Sequence, residues 1–213
     1  MQKNKRVSKV KNLILDHVQK NLKEYLIMIL LFLIGLIAGV IFINHATDSQ
    51  KQELESYYSS VITQLKENAS INQLGLLKES VGKNLALCLF LWFIGLTIIG
   101  IPILYGTIAF RGFCLGYTIS SIIMTLGTGK GILFTTCTIL LQNILLIPCM
   151  LALGVSGIKL YKTISKQDKK TSVKAEITRH TFFSIFILIL FIIASLIEVY
   201  ISSNLLTWSV AYL

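Results

Sequence analysis

From Gly131 to about Tyr161 the chain runs apolar, and inside that run stand Gln142, Asn143 and, five residues further on, Pro148. A bilayer core about 30 Å thick takes roughly 20 helical residues, so this run can cross a membrane with residues to spare. A charge at the centre of a span costs about 2.5 to 3.5 kcal/mol on insertion scales, and amides are also penalised there. A chain that keeps such groups in a span must bury them against other parts of itself or use them.

Four more stretches have the length or the lack of charge of a span: Tyr25 to Ile43, Leu85 to Ile103 or Tyr105, a short one from Phe113 to Leu126, and Phe182 to Ile201. Apolar residues make up 54% of the 213 positions and charged ones 14%, far below the quarter or so usual in soluble domains. The runs lack the period-2 alternation of barrel strands. Backbone groups in lipid must be satisfied within their own segment, so helices remain. The expected fold class is all-α, a polytopic membrane protein with five transmembrane helices. The first span is too long for a signal h-region and is expected to stay as a helix.

Orientation follows from lysine and arginine in short flanks. Residues 1–24 carry seven of them and residues 159–181 another seven, against five in residues 44–83 and 127–131 together. The expected topology places the N-terminus in the cytoplasm and the C-terminus outside. It divides the chain into a basic N-terminus (1–24), a first span (25–43), an extracytoplasmic segment (44–83), three spans (84–160), a basic cytoplasmic loop (161–181), a fifth span (182–201) and an external tail (202–213). On this reading Arg111 lies near the cytoplasmic face. The net charge of +10 flanks spans and has no interleaved aromatic stacking pattern, so it points to topology and membrane-lipid contact rather than to nucleic acid.

In the external segment Leu54, Tyr57, Tyr58, Val61, Ile62 and Leu65 recur at helical spacing opposite Glu53, Glu55, Gln64 and Lys66, which predicts an amphipathic helix. Its apolar face either packs on the protein's own membrane domain, lies at the lipid interface, or docks an extracellular partner. Asn68-Ala69-Ser70 fits a glycosylation acceptor, a match of low specificity.

Within the membrane, Gln142 and Asn143 fall near the midplane, and Pro148 removes one helix hydrogen bond and frees a carbonyl at similar depth. Such a group serves either as a carrier's substrate site or as an interhelical amide contact. Glu198 approaches the external surface, with Lys83 and Lys130 as candidate counter-charges, and no direct pair with Arg111 is expected. Gly35-x-x-x-Gly39 and Gly112-x-x-x-Gly116 let helices approach closely, either within the chain or in a homodimer. Cys88, Cys114, Cys137 and Cys149 all lie in apolar runs and are expected to pack as small hydrophobes. Leu126 to Gly131 lacks the spacing of a phosphate loop and reads as a tight turn. His17, His45 and His180 are scattered, and no nucleophile has an adjacent base, so no catalytic residue, metal site or cofactor is expected.

Taken in order, Lys83-Asn84-Leu85, Gly95-Leu-Thr-Ile-Ile-Gly100-Ile-Pro102, Phe110-Arg111-Gly112-Phe113-Cys-Leu-Gly116-Tyr117, Leu141-Gln142-Asn143-Ile-Leu-Leu-Ile-Pro148 and Leu196-Ile197-Glu198-Val199-Tyr200-Ile201-Ser202 resemble the stage II sporulation protein M family over nearly the whole chain. The resemblance implies a membrane protein of endospore-forming bacteria, made in the mother cell and needed for engulfment. It implies partners as well: two membrane-tethered cell-wall hydrolases, a lytic transglycosylase and an amidase/endopeptidase, anchored at the septum. The expected function is therefore a non-enzymatic scaffold for peptidoglycan-degrading enzymes. The alternative from a different class is a small-solute or ion carrier working through the midplane polar site.

Overall fold

The computed structural model describes residues 18–67, 73–97, 99–165 and 172–202, together with Leu205; the side chains of residues 65–67 and 202 lie outside that description. Among the described residues there are helices and turns but no strand. In chain order the helices are α1 (Leu22–Asn44), α2 (Asp48–Glu67), α3 (Gln73–Gly95), α4 (Gly100–Leu126), α5 (Thr128–Thr135), α6 (Leu141–Ser165) and α7 (Val173–Ile197). Two five-residue π-helical segments interrupt or extend them, Thr136–Leu140 between α5 and α6, and Glu198–Ser202 after α7.

Four described segments are long and apolar enough to cross a membrane: Leu22–Asn44, Gly100–Leu126, the 38 residues Thr128–Ser165, and Val173–Ile201. The expected count was five. The remaining candidate, Leu85 onward, is the second half of α3, whose first half carries Lys78, Glu79 and Lys83.

The expected break at Arg111 is also corrected. The chain turns after Gly95, at Leu96 and Thr97, and α4 then runs unbroken from Gly100 for 27 residues, through Arg111. Pro102 lies in the first turn of α4, where its missing N–H has no intrahelical partner to lose and its fixed φ suits the start of a helix. Gly100 closes the turn: its N–H bonds the Thr97 carbonyl at 3.1 Å, and a Cβ there would strike the Ile94 carbonyl. Glycine and proline at this point start a helix and do not end a span.

The seam between α1 and α4 is built from the two small-residue motifs. A Cβ on Gly35 would strike Ala109, one on Gly39 would lie 2.7 Å from the Tyr117 amide nitrogen, and Gly112 and Gly116 meet the backbone of Phe32 and Leu36 in the same way. The pairing rises in step along both helices, so α1 and α4 are parallel. In lipid there is little hydrophobic drive between helices, and backbone approach of this kind supplies dispersion contact instead. Of the two readings of these glycines, packing within the chain or a homodimer face, the structure shows the first. Phe42 continues the seam, set edge-on to Phe113 at a centroid distance of 5.7 Å.

Helix α7 runs antiparallel to both α3 and α6. Trp92 Nε1 donates to Thr181 Oγ1 at 3.2 Å and Asn84 Nδ2 donates to Ser195 Oγ at 2.8 Å. Ser156 Oγ and His180 Nδ1 lie 2.9 Å apart. His180 is fully buried where the α3–α4 turn meets α6: a Cβ on Gly95 would lie 2.8 Å from His180 Nε2, and one on Gly157 2.9 Å from the Gly95 Cα. The core between these elements is apolar, with Met28, Leu91, Leu104, Ile108, Leu146, Met150, Leu153, Ile158 and Phe191 all buried. Three of the four cysteines are buried and the fourth half-buried, all as free thiols.

Glu24 near the start of α1 is ion-paired with Lys162 near the end of α6. The basic end of α6, with Lys159 and Lys162, therefore shares one end of the bundle with the start of α1. Gly127, with φ of 79°, makes the turn at the other end in a left-handed conformation that glycine adopts without strain.

Candidate functional site

The functional candidates fall into two places, a polar cavity inside the bundle and the surface helix α2.

The cavity, about 500 Å³, is walled by α3, α4, α6 and both π segments, and its lining includes Glu79, Ser80, Lys83, Asn84, Arg111, Thr138, Gln142 and Glu198. Glu198 is the first residue of the second π segment and organises the polar side. Its Oε2 accepts from Gln142 Nε2 at 2.6 Å and from Ser80 Oγ. Gln142 is the second residue after the other π segment, whose Thr138 Oγ1 donates to the Phe134 carbonyl at 2.7 Å. π segments displace side chains from the ordinary helical register and recur at functional sites. Here two of them bring Thr138 and Glu198 to one space.

Arg111 faces the same cavity from α4. The expectation of a cytoplasmic Arg111 and an external Glu198, one at each mouth of a pathway, is corrected: both line one space and interact electrostatically. They do not touch. No hydrogen bond or ion pair reaches Arg111 from the described residues, and its Nε is buried without a partner. Lys83 also lines the cavity but donates to Glu79 at 2.6 Å.

Two members of the expected midplane site stand elsewhere. Asn143 is buried in the helix packing and donates to the Ile139 carbonyl at 2.8 Å. Pro148 lies with Ile144, the residue whose carbonyl it frees, on the exposed face of α6. Neighbouring helix positions point about 100° apart, and of this pair Gln142 lines the cavity while Asn143 turns into the packing. Gln142 is 17 residues from Lys159, roughly 26 Å along the helix at 1.5 Å per residue, well away from the basic end.

Ser80 and Asn84 were not singled out from sequence. Their i, i+4 spacing puts them on one helix face, but the segment up to Lys83 read as extracytoplasmic, which hid a helix running on to Gly95. The signal was available only if Gln73 had been taken as the helix start.

Helix α2 supplies the second place. Tyr58 and Ile62 pack on Ile122, Leu126 and Phe134, and the Tyr58 hydroxyl bonds Ser121 Oγ at 2.9 Å. Burial pushes the Tyr58 hydroxyl above the ordinary tyrosine pKa, with the Ser121 bond opposing it. Leu54 and Tyr57 border a groove with Phe42 and Tyr117. Val61 is half-buried, and the side chain of Leu65 and the Asn68-Ala69-Ser70 triplet lie outside the described residues. So Tyr58 and Ile62, candidates for partner contact or for packing on the membrane domain, hold α2 to its own bundle, while Tyr57 stays 63% exposed. Gln52, Glu55, Ser56, Ser59 and Ser60 are exposed beside it.

Among the described residues no group of three histidine, cysteine or acidic side chains is arranged to hold a metal. No curated protein and no solved structure matches the chain. The stage II sporulation protein M family matches residues 28–203, and the chain belongs to that family.

Proposed function

We propose that this chain is a non-enzymatic membrane scaffold that anchors and localises peptidoglycan-degrading enzymes, a lytic transglycosylase and an amidase/endopeptidase, at the septal and engulfing membrane of the mother cell. Family membership carries the coarser statement, a sporulation-related membrane protein. The observation that carries the finer one is α2. It is fixed to the bundle by Tyr58 and Ile62 and leaves Tyr57 and a row of short polar side chains outward, a surface suited to a protein partner because tyrosine offers a large contact area with few rotors to order.

The topology belongs to the same proposal. The end that carries the Glu24–Lys162 pair and the basic residues of α6 and α7 is the cytoplasmic one by the positive-inside rule. α2 then lies outside with the wall enzymes. α3 is the fifth crossing, supported by its antiparallel pairing with α7 from Ser80 to Trp92.

The test is affinity purification of the tagged full-length protein, in mild detergent, from cells entering sporulation. It compares the natural chain with a Tyr57→Ala, Ser60→Arg double variant. Wall hydrolases should co-purify with the natural chain and be lost from the variant at unchanged membrane level. Recovery of no hydrolase with either form would refute the scaffold reading.

A further inference from the structure

Arg111 stands in the middle of an apolar helix with no hydrogen bond or ion pair from the described residues and with its Nε buried. A guanidinium stays charged in proteins, and an uncompensated charge in a membrane span is among the costliest arrangements a fold can hold. Glu198, across the same cavity, is held in place by Ser80 and Gln142 yet is not ion-paired with Arg111. Lys83 and Glu79 neutralise each other at the rim. The cavity, about 500 Å³, therefore has on its wall one cation without a partner among the described residues, Arg111, and one anion held by hydrogen bonds, Glu198, with no ion pair between them.

We propose that this cavity is a binding site for an amino-phosphate zwitterion, either free or as the headgroup of a phosphoethanolamine lipid. The phosphate pairs with Arg111, whose planar fork suits tetrahedral and planar oxyanions, and the ammonium pairs with Glu198. A neutral zwitterion matches the balanced charge of the lining, whereas a bare anion meets the Glu198 carboxylate and a bare cation meets Arg111. The volume fits a headgroup and excludes a whole lipid, so any acyl chains remain in the bilayer. The site is independent of the hydrolase reading.

The test uses the purified full-length protein in detergent and follows thermal unfolding and native mass spectra with phosphatidylethanolamine, phosphatidylcholine, phosphatidylglycerol or free phosphoethanolamine added. The ethanolamine lipid should bind about tenfold better than the choline lipid, because a quaternary ammonium has no N–H to give Glu198. Arg111→Met should weaken the ethanolamine and choline lipids alike by removing the phosphate partner, and raise the melting temperature of the unliganded protein, since it removes a buried charge that has no partner; an arginine of purely structural role would lower it. Glu198→Gln should bring ethanolamine and choline lipids to equal affinity while phosphate-dependent binding persists. Protection by free phosphoethanolamine places the source in solution, and protection by the lipid alone places it in the membrane. If the natural chain does not distinguish ethanolamine from choline and glycerol headgroups, and free phosphoethanolamine gives no shift, the proposal is wrong.

Discussion

Gln142 Nε2 donates to Glu198 Oε2 at 2.6 Å, joining two residues 56 positions apart, one just past a π-helical segment and the other opening one. The contact explains how a carboxylate and an amide are tolerated in apolar helices. Each removes the other's unmet hydrogen-bonding capacity, and a charge-assisted bond in a low dielectric is stronger than in water.

Gln142→Leu should lower the stability of the detergent-solubilised protein by about 1.5 to 3 kcal/mol, the usual worth of a hydrogen bond to a charged group. Adding Glu198→Leu should recover part of that loss, because the carboxylate left behind is then gone as well. Thermal unfolding of the two single variants and the double variant checks this. Strictly additive losses would show that the two residues are not coupled.

Gly112→Leu and Gly116→Leu should each destabilise the α1–α4 seam by about 1 to 3 kcal/mol or more, since the added atoms meet backbone that cannot move aside. Gly106, in the same helix with open space around it, is the control. Gly106→Ala should stabilise by roughly 0.5 to 1 kcal/mol through helix propensity alone. Yields of folded protein by fluorescence-detected size exclusion would separate the two behaviours.

Tyr58→Phe should loosen α2 by about 1 kcal/mol, the net worth of a neutral hydrogen bond, seen as faster amide exchange over residues 50–64. The docked hydroxyl holds its proton more tightly than a free tyrosine. Its contribution is therefore full below the free tyrosine pKa of about 10 and is lost as pH rises past that toward the raised docked value. The variant should lose this alkaline dependence, and its persistence would assign the effect to another group.

Ser156→Ala leaves the buried His180 Nδ1 without its partner, at a cost of about 1 to 3 kcal/mol. Gly95→Ala drives a methyl group against the same imidazole. Both should lower the melting temperature, and together they should fall short of additivity because they act on one side chain.

Cysteine introduced at Ser60 should react with a membrane-impermeant maleimide in intact cells, and cysteine at Lys174 only after lysis, if the basic end faces the cytoplasm. The reverse pattern would invert the proposed topology.

How much of this was legible can be followed residue by residue. Apolar runs and basic flanks are local properties, so the helical class, the membrane setting and the grouping of basic stretches at one end could be read directly. Helix limits could not. Arg111 looked like the end of a span because a charge in lipid is costly, but the cost depends on what the side chain faces, and Arg111 faces a cavity. Pro102 falls inside the span expected from Leu85 to Ile103 or Tyr105, whereas the chain turns just before it and Pro102 lies in the first turn of α4.

Side-chain chemistry and periodicity are set along the chain, and they dictate apolar helices, the need to accommodate Glu198, Gln142 and Arg111, and small residues that permit close helix contact. The three-dimensional packing brings Gly35 and Gly39 against the helix of Gly112 and Gly116 within one molecule, holds α2 to the bundle through Tyr58, and puts Arg111 and Glu198 on one cavity while Asn143 and Pro148 turn away from it. Those outcomes depend on which helix faces are brought together, and on a one-residue change of register at each π segment, which no local pattern encodes.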